Sequence, residues 1–451
     1  MNPYIFRKYD IRGVVKEDFT DQVVENLGKA YGTFIKEKGA ESTAVSGDVR
    51  KSTPRLKKLF SKGVLSTGVD VVDIGILPTP ANYYSMYKMD VDGAVQITGS
   101  HNPADMNGFK MSYNKKSIFG EDIQKIKKII EEENFKVGEG TWSESSILED
   151  YTQEIISNIE LEKDIKIAVD SGNGAAGLVM PEVLEEVGCD VTPLYCEIDG
   201  SFPNHHPDPT VEEYIEDLIE EVKNGNYDCG IAFDGDGDRL GLVDEKGNII
   251  WADYMMILFL DEIITDHESV IFDVKCSQAL EDVIKEKGGQ PLMWKTGHAL
   301  IKEKMREEKA PFAGEMSGHI CFADDYYGYD DAIYTALRLV QTLSRSTQKL
   351  SEIMKELPHY YSTPEMRLEC SDDETKFKIA KKSEEYFKEK YDCIDVDGVR
   401  IKFGDGWGLV RASNTQPVIV TRFEAKTEER LEEIKNTILN QLKEFGDIKI
   451  D

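Results

Sequence analysis

The chain has 451 residues, and 85 Asp and Glu against 54 Lys and Arg give it a formal charge of −31. At about 100 to 200 residues per domain this length predicts two to four domains, and 40% hydrophobic, 9% aromatic and 31% charged residues describe a globular chain, not a disordered one. The longest wholly apolar runs, such as 255–260, fall far short of the about 20 residues of a membrane-spanning helix, and the carboxylate surplus argues against nucleic acid or an anionic membrane as partner.

Arg7, Lys8, Asp10 and Arg12 interrupt the stretch where a secretion signal would need continuous apolar residues, so export is not expected. The 7 cysteines are odd in number, scattered and free of any C-x-x-C, which fits a reducing cytoplasm with neither a disulfide framework nor a zinc site.

Taken in chain order, short apolar, β-branched runs alternate with helical periodicity, the signature of α/β architecture with mostly parallel strands. Residues 43–46, 69–74 and 93–98 read as strands, and Ile123, Ile126 and Ile130 mark a helix from Glu121. The pattern restarts with strands at 165–170, 191–195 and 228–233, and a helix after Gly177. It restarts again at 270–274, 291–294 and 311–314. From about Thr363 the order changes to strand, helix, three extended segments (398–403, 408–412, 418–423) and a last helix. Thr427 is the expected N-cap of that helix, which buries Leu431, Ile434, Ile438, Leu442 and Phe445. This predicts three related α/β domains with mixed sheets, 1–145, 146–250 and 251–362, plus a C-terminal α+β domain, 363–451.

Four polar loops follow strands, where open α/β sheets bind ligands. TGSHNP, 98–103, carries Ser100 and is followed by NGFK, ending at Lys110. Taken alone the serine is most simply a turn or cap residue, and it lacks the G-x-S-x-G elbow of hydrolases. DGDGDR, 234–239, spaces three aspartates with glycines so that Asp234, Asp236 and Asp238 can converge on a hard cation such as Mg²⁺. With Glu245 these occupy EF-hand positions, but Arg239 replaces the required glycine and the flanks read as strands. GEMSGH, 314–319, offers Glu315, Ser317 and His319 to sugar hydroxyls, and RASNTQP, 411–417, offers Arg411, Ser413, Asn414 and Thr415 to a phosphate. Gly172, Gly174 and Gly177 form a competing dinucleotide fingerprint with Glu197 about 20 residues on, which would suit an NAD oxidoreductase. The histidines of PNHHPDP, His205 and His206, lack neighbouring ligand residues and read as structural.

These motifs, with FRKYDIRGVV, SFPNHHPDP, IFDVKC, MWKTGH and GYDDAIY in the same order, resemble the α-D-phosphohexomutase family over nearly the whole chain. GEMSGH and RASNTQP are similar to its phosphomannomutase/phosphoglucomutase branch and not to the glucosamine mutases, whose loops read closer to GEQSGH and RPSGTEP. SGDVRKS at Ser46 departs from an Arg-Asp-Gly-Arg-like segment in a supporting loop, a departure that falls on no carried-over residue.

The resemblance implies four domains around a central cleft, the last acting as a lid, and interconversion of hexose 1- and 6-phosphates of mannose or glucose. Ser100 would be a phosphoserine, holding one Mg²⁺ per chain together with Asp234, Asp236 and Asp238, and glucose 1,6-bisphosphate would be the activator. Arg12, His101, Lys110 and Arg239 would be catalytic, with the acid/base open among His101, Lys110 and Arg12. Tyr9, Lys275, His298, Glu315, Ser317 and His319 would contact the sugar phosphate, and Arg411, Ser413, Asn414 and Thr415 the phosphate that is not reacting. A small phosphosugar would then be the partner of a cytoplasmic monomer.

Overall fold

The computed structural model describes residues 1–413 and 418–449. The chain divides into two compact units, Met1–Phe259 with Ser317–Glu352, and Leu260–Met316 with Ile353–Asp451.

The first unit contains two mixed sheets. In one, Ile11–Val14, Met106–Tyr113, Gly93–Ile97, Ser42–Gly47, Asp70–Ile76 and Trp142–Glu144 lie side by side, and Lys116–Ser117 closes a hairpin on Met106–Tyr113. Gly93–Ile97, Ser42–Gly47 and Asp70–Ile76 run parallel; the first two are buried almost throughout, as inner parallel strands are, while Asp70–Ile76 buries Val71 and Ile74. The helices Asp21–Lys36 and Thr53–Leu65 pack on this sheet; Phe60 stacks on Phe109 at 5.1 Å. In the other sheet the order is Ile249–Ile250, Leu240–Asp244, Cys229–Phe233, Lys166–Asp170 and Asp190–Leu194.

In the second unit Gln290–Trp294, Ser269–Asp273 and Phe312–Gly314 pair in parallel. The tail forms an antiparallel sheet, in the order Asp392–Ile394, Val399–Lys402, Gly406–Ala412, Val418–Ala425, Met366–Cys370 and Ile448–Lys449. Thr427 caps Glu428–Phe445 by accepting from the Arg430 amide at 3.2 Å, and the helix buries Ile434, Ile438 and Leu442.

The α/β class with mixed sheets and an α+β tail is therefore observed, with one addition. NGFK is no loop but the middle of Met106–Tyr113, which runs antiparallel to Ile11–Val14 and Gly93–Ile97. No helix among the described residues is long and apolar enough to cross a membrane, and the seven cysteines are free.

The histidine pair has a structural place. His205 sets Nδ1 2.8 Å from the His206 carbonyl and Nε2 3.1 Å from Asp170 Oδ2. Both partners are acceptors, so both nitrogens carry protons and the ring is an imidazolium. Burial works against that charge, but the hydrogen bond and charge of Asp170, with Asp217 beyond, raise the His205 pKa above its ordinary value. A raised folded-state pKa gives stability that is complete below about pH 6.5 and lost as pH climbs through the folded value. The thermal midpoint of the wild type should accordingly exceed that of His205→Gln most at pH 6, and the gap should close toward pH 8.5. A gap that stays constant across this range would contradict the imidazolium.

Candidate active site

Within the first unit, two loops meet. Residues 98–105 leave Gly93–Ile97 and return as Met106–Tyr113, while 234–239 join the antiparallel strands Cys229–Phe233 and Leu240–Asp244 as a hairpin loop. Asp234 Oδ1 caps that loop, accepting from the amides of Asp238 (3.0 Å) and Arg239 (3.2 Å). Its Oδ2 accepts the Ser100 hydroxyl at 2.7 Å. Gly237, at φ +73°, supplies the left-handed turn, and a Cβ on Gly235 would lie 2.5 Å from the Ser100 carbonyl oxygen, so only glycine lets the loops approach. This strand-loop-strand setting rules out the EF-hand reading, and Glu245 is engaged elsewhere, accepting from the Ser351 amide at 3.0 Å.

Ser100 is 1% exposed and holds φ +50°, a left-handed conformation uncommon for a non-glycine residue. His101 sets Nδ1 3.1 Å from its Oγ. Burial, then the charges of Arg239 and Arg12, push the His101 pKa well down, so the ring is neutral at ordinary pH.

Asp234, Asp236 and Asp238 are fully buried with ligand oxygens within 4.8 Å of one another. Burial and the two like charges push Asp234 well above the usual carboxylate range. Burial works the same way on Asp236, but Lys110 at 2.7 Å and the Thr79 hydroxyl at 2.5 Å hold it below that range. Lys110 also bonds Asp238, and these carboxylates raise its pKa against the effect of burial. Three carboxylates thus face one ammonium. Asp236 Oδ1 and Asp238 Oδ1 are buried and accept no hydrogen bond. An all-oxygen set with two such oxygens fits a small hard dication such as Mg²⁺.

The sheet explains how the cations arrive. Arg12 pairs with Gly108 across the antiparallel ladder, and Lys110 is two residues further along, so both side chains rise from one face. Arg12 also bonds Asp10 at 2.5 Å. Arg239 donates from Nε to His319 Nε2 at 3.0 Å, which leaves the His319 proton on Nδ1, 3.0 Å from Asp330 Oδ2 and 3.1 Å from the Asp238 carbonyl. Ser100, His101, Lys110, Arg239, His319 and the three aspartates are thus brought together. Tyr9 is half-buried, with the Lys8 ammonium 5.5 Å from its ring centre. Ser317 is half-buried in the first unit.

The second unit holds its own polar cluster. Lys275 lies 3.4 Å from Glu365 Oε2 and 3.8 Å from Asp273 Oδ2. Burial opposes it, but Lys275, then Arg367 and Arg411, hold the Glu365 carboxyl down to about 2. Arg411 pairs with Asp397 at 3.0 Å. Glu315, 2% exposed, accepts from the Gly297 amide at 2.6 Å, and the next residue, His298, opens the helix His298–Glu308. Ser413 is buried beyond the end of Gly406–Ala412; Asn414 and Thr415 lie outside the described residues.

Several participants escaped sequence reasoning: Thr79, Asp48, Arg50, Asp273, Glu365 and Asp397. The segment SGDVRKS does support the serine loop: Arg50 donates to the Ser100 carbonyl at 2.7 Å. The D-x-R spacing was the available signal, since a charged pair directly after a buried strand needs a partner.

The dinucleotide fingerprint has a structural use instead. The amides of Gly172, Asn173, Gly174 and Ala175 are already spent on Asp170 Oδ1 (2.8 Å), the Tyr195 carbonyl (2.7 Å), the Ser171 carbonyl (2.7 Å) and the Gly235 carbonyl (3.0 Å). The Ala175 amide braces the aspartate loop, the other three hold their own turn, and the four do not form a pyrophosphate cradle.

Known proteins resemble this chain over nearly its whole length. The three alpha/beta/alpha domains described as phosphoglucomutase/phosphomannomutase I, II and III match residues 3–137, 149–247 and 251–361, and the C-terminal domain of the same description matches 365–441. A phosphomannomutase/phosphoglucomutase of Pseudomonas aeruginosa is 44% identical, covering 97% of this chain and 95% of that protein. A phosphoglucomutase of Neisseria gonorrhoeae is 40% identical, covering 96% and 95%. The crystal structure of a phosphoglucomutase/phosphomannomutase family protein from Burkholderia thailandensis superposes with a TM-score of 0.94 at 39% identity, covering 99% of both chains.

Proposed function

The chain belongs to the phosphoglucomutase/phosphomannomutase family, and from that premise we propose that it interconverts the 1- and 6-phosphates of glucose and mannose, with Ser100 as phosphoryl carrier. The observation that carries this reading is the Ser100 hydroxyl bonded at 2.7 Å to Asp234, inside a buried cluster of three carboxylates and Lys110. Carried as a phosphate, that oxygen would pass its phosphoryl group to the free hydroxyl of a hexose monophosphate. The resulting 1,6-bisphosphate would return its other phosphate to Ser100. The same bisphosphate, added from outside, would load an unphosphorylated enzyme and so act as activator.

Phosphoryl transfer depends chiefly on alignment and neutralised charge. Asp234, Asp236 and Asp238, with the Ser100 phosphate, would hold Mg²⁺, which when bound neutralises charge on the transferring oxygens. Arg12, Lys110 and Arg239 contribute fixed positive charge beside Ser100. His101, neutral and 3.1 Å from Ser100 Oγ, is available to accept a proton, and His319 holds Arg239 in place. Lys275, His298, Glu315 and Ser317 are assigned to the sugar phosphate, with Tyr9. Arg411, with Ser413, Asn414 and Thr415, is assigned to the phosphate that is not reacting, a task suited to a bidentate guanidinium. The boundaries 145, 250 and 362, a monomeric state and a cytoplasmic location complete the reading; light scattering on the purified chain tests the monomer.

Three outcomes are expected. Ser100→Ala should lose turnover by about 10³-fold or more while still binding glucose 1-phosphate in calorimetry; turnover near the wild-type rate would end the carrier role. Mg²⁺ should raise the thermal midpoint of the wild type but not of Asp236→Asn or Asp238→Asn, and equal shifts in all three would move the metal elsewhere. Glucose and mannose differ only at C2, and Glu315 is assigned to other hydroxyls. The two 1-phosphates should therefore be turned over with efficiencies within about a hundredfold, since a hydrogen bond to O2 is worth about 1 to 3 kcal/mol, and Glu315→Ala should impair both alike. An effect on one sugar alone would mean that Glu315 reads C2.

A further inference from the structure

Arg50 follows the buried strand Ser42–Gly47 by three residues and is itself 1% exposed. A guanidinium carries five N–H donors in a rigid plane, and here every one has an acceptor. Nε donates to Asp48 Oδ2 at 3.0 Å. Nη1 donates to the carbonyls of Pro103 (2.5 Å) and Met106 (3.0 Å), and Nη2 to those of Ser100 (2.7 Å) and Asn102 (2.6 Å). Residues 100–106 are thus wrapped around one cation by their backbone. Asp48 holds the other side of the same loop: its Oδ2 also accepts from the Thr98 hydroxyl (2.8 Å) and the Gly99 amide (3.2 Å), while its Oδ1 accepts from Thr53 Oγ1 (2.9 Å). The Phe202 ring lies 5.0 Å from the guanidinium carbon and covers it.

This grip bears on the reacting serine. Ser100 keeps a left-handed backbone that its side chain disfavours, and such a conformation persists only where its surroundings over-determine it. Arg50 on its carbonyl and Thr98 Oγ1 on its amide, at 2.8 Å, are those surroundings. Rotation to an ordinary conformation would carry Oγ away from Asp234.

We propose that Arg50 is a positioning residue for phosphoryl transfer, the template on which residues 98–106 fold so that Ser100 Oγ is held against the aspartate loop. The proposal rests on the reading of Ser100 as phosphoryl carrier. It ties the rate of transfer, and not the affinity for sugar phosphate, to a residue that touches neither substrate nor metal. Lysine cannot replace it, because a single ammonium has three donors on one point and cannot span four carbonyls.

The test uses the full-length chain with Arg50→Lys and Arg50→Ala. In Arg50→Lys, amide hydrogen exchange over 99–106 should quicken by at least about tenfold while the remaining strands of the first sheet keep their protection. kcat for glucose 1-phosphate should fall by about a hundredfold, with KM changed by less than about threefold. Methylguanidinium should restore part of both the protection and the rate in Arg50→Ala, and nothing in Ser100→Ala. Wild-type exchange in Arg50→Lys, a loss confined to KM, or loosening of the entire first sheet would each overturn the proposal. A wild type with no mutase turnover would instead remove the phosphoserine reading, and the exchange of 99–106 would still decide whether Arg50 is the template.

Discussion

Three carboxylates buried within 4.8 Å of one another are the constraint around which the first unit is organised. Like charges at that separation in a dry environment repel strongly and demand countercharge and hydrogen bonds. Lys110 answers two of them, and it can do so only because NGFK is strand: the ladder fixes the height from which its side chain rises, and pairs that strand with the one bearing Arg12. Ser100 answers the third. Thr79, from the start of the helix Thr79–Lys88, donates its hydroxyl to Asp236 Oδ2 and its amide to the Asp236 carbonyl at 2.8 Å. The electrostatic demand of one hairpin loop thereby fixes the relative placement of a strand, a helix and two loops far apart in sequence.

A second theme is the use of buried arginine to hold loop backbone. Arg50 does this in the first unit. In the second, Arg400 donates to the carbonyls of Val274 (2.8 Å) and Cys276 (2.7 Å), and Arg422 donates to that of Lys275. Arg400 stacks 3.6 Å from the centre of the Trp407 ring, whose Nε1 donates to Glu424 at 2.8 Å. The loop bearing Lys275 is therefore clasped from the antiparallel sheet much as the serine loop is clasped by Arg50. In both, a planar cation sits against an aromatic face and spends its donors on main-chain oxygens.

The sequence was most legible where physics is local. Buried parallel strands show as short apolar runs, which is why 93–98 and 228–233 stand out, and glycine and aspartate punctuation marks the loops that follow them. Thr427 was readable as a cap because its partner is three residues away. Met106–Tyr113 was not readable: Asn107, Lys110 and Ser112 are polar yet buried, and their burial is made tolerable by groups more than fifty residues distant, such as Asp236 and Asp238. Asp48, Arg50, Glu365 and Asp397 were hidden for the same reason. The family resemblance implied roles for single residues, but not the partners that orient them, since partners depend on geometry that a motif does not record.

The grip of Arg50 on carbonyl oxygens carries a consequence for how the serine loop can vary. Every residue brings a carbonyl, whatever its side chain, so the grip of Arg50 on Ser100, Asn102, Pro103 and Met106 through their main-chain oxygens does not itself depend on what those positions display. The side chains that do shape it are few: Thr98 Oγ1 accepts from the Ser100 amide, Asn102 Nδ2 donates to the Gly99 carbonyl, and Gly99 leaves room for Arg50. At the positions Arg50 grips, drift in what the loop presents to a ligand is thus partly insulated from drift in its shape, and much of the constraint passes to Asp48 and Arg50, which present nothing to a ligand at all.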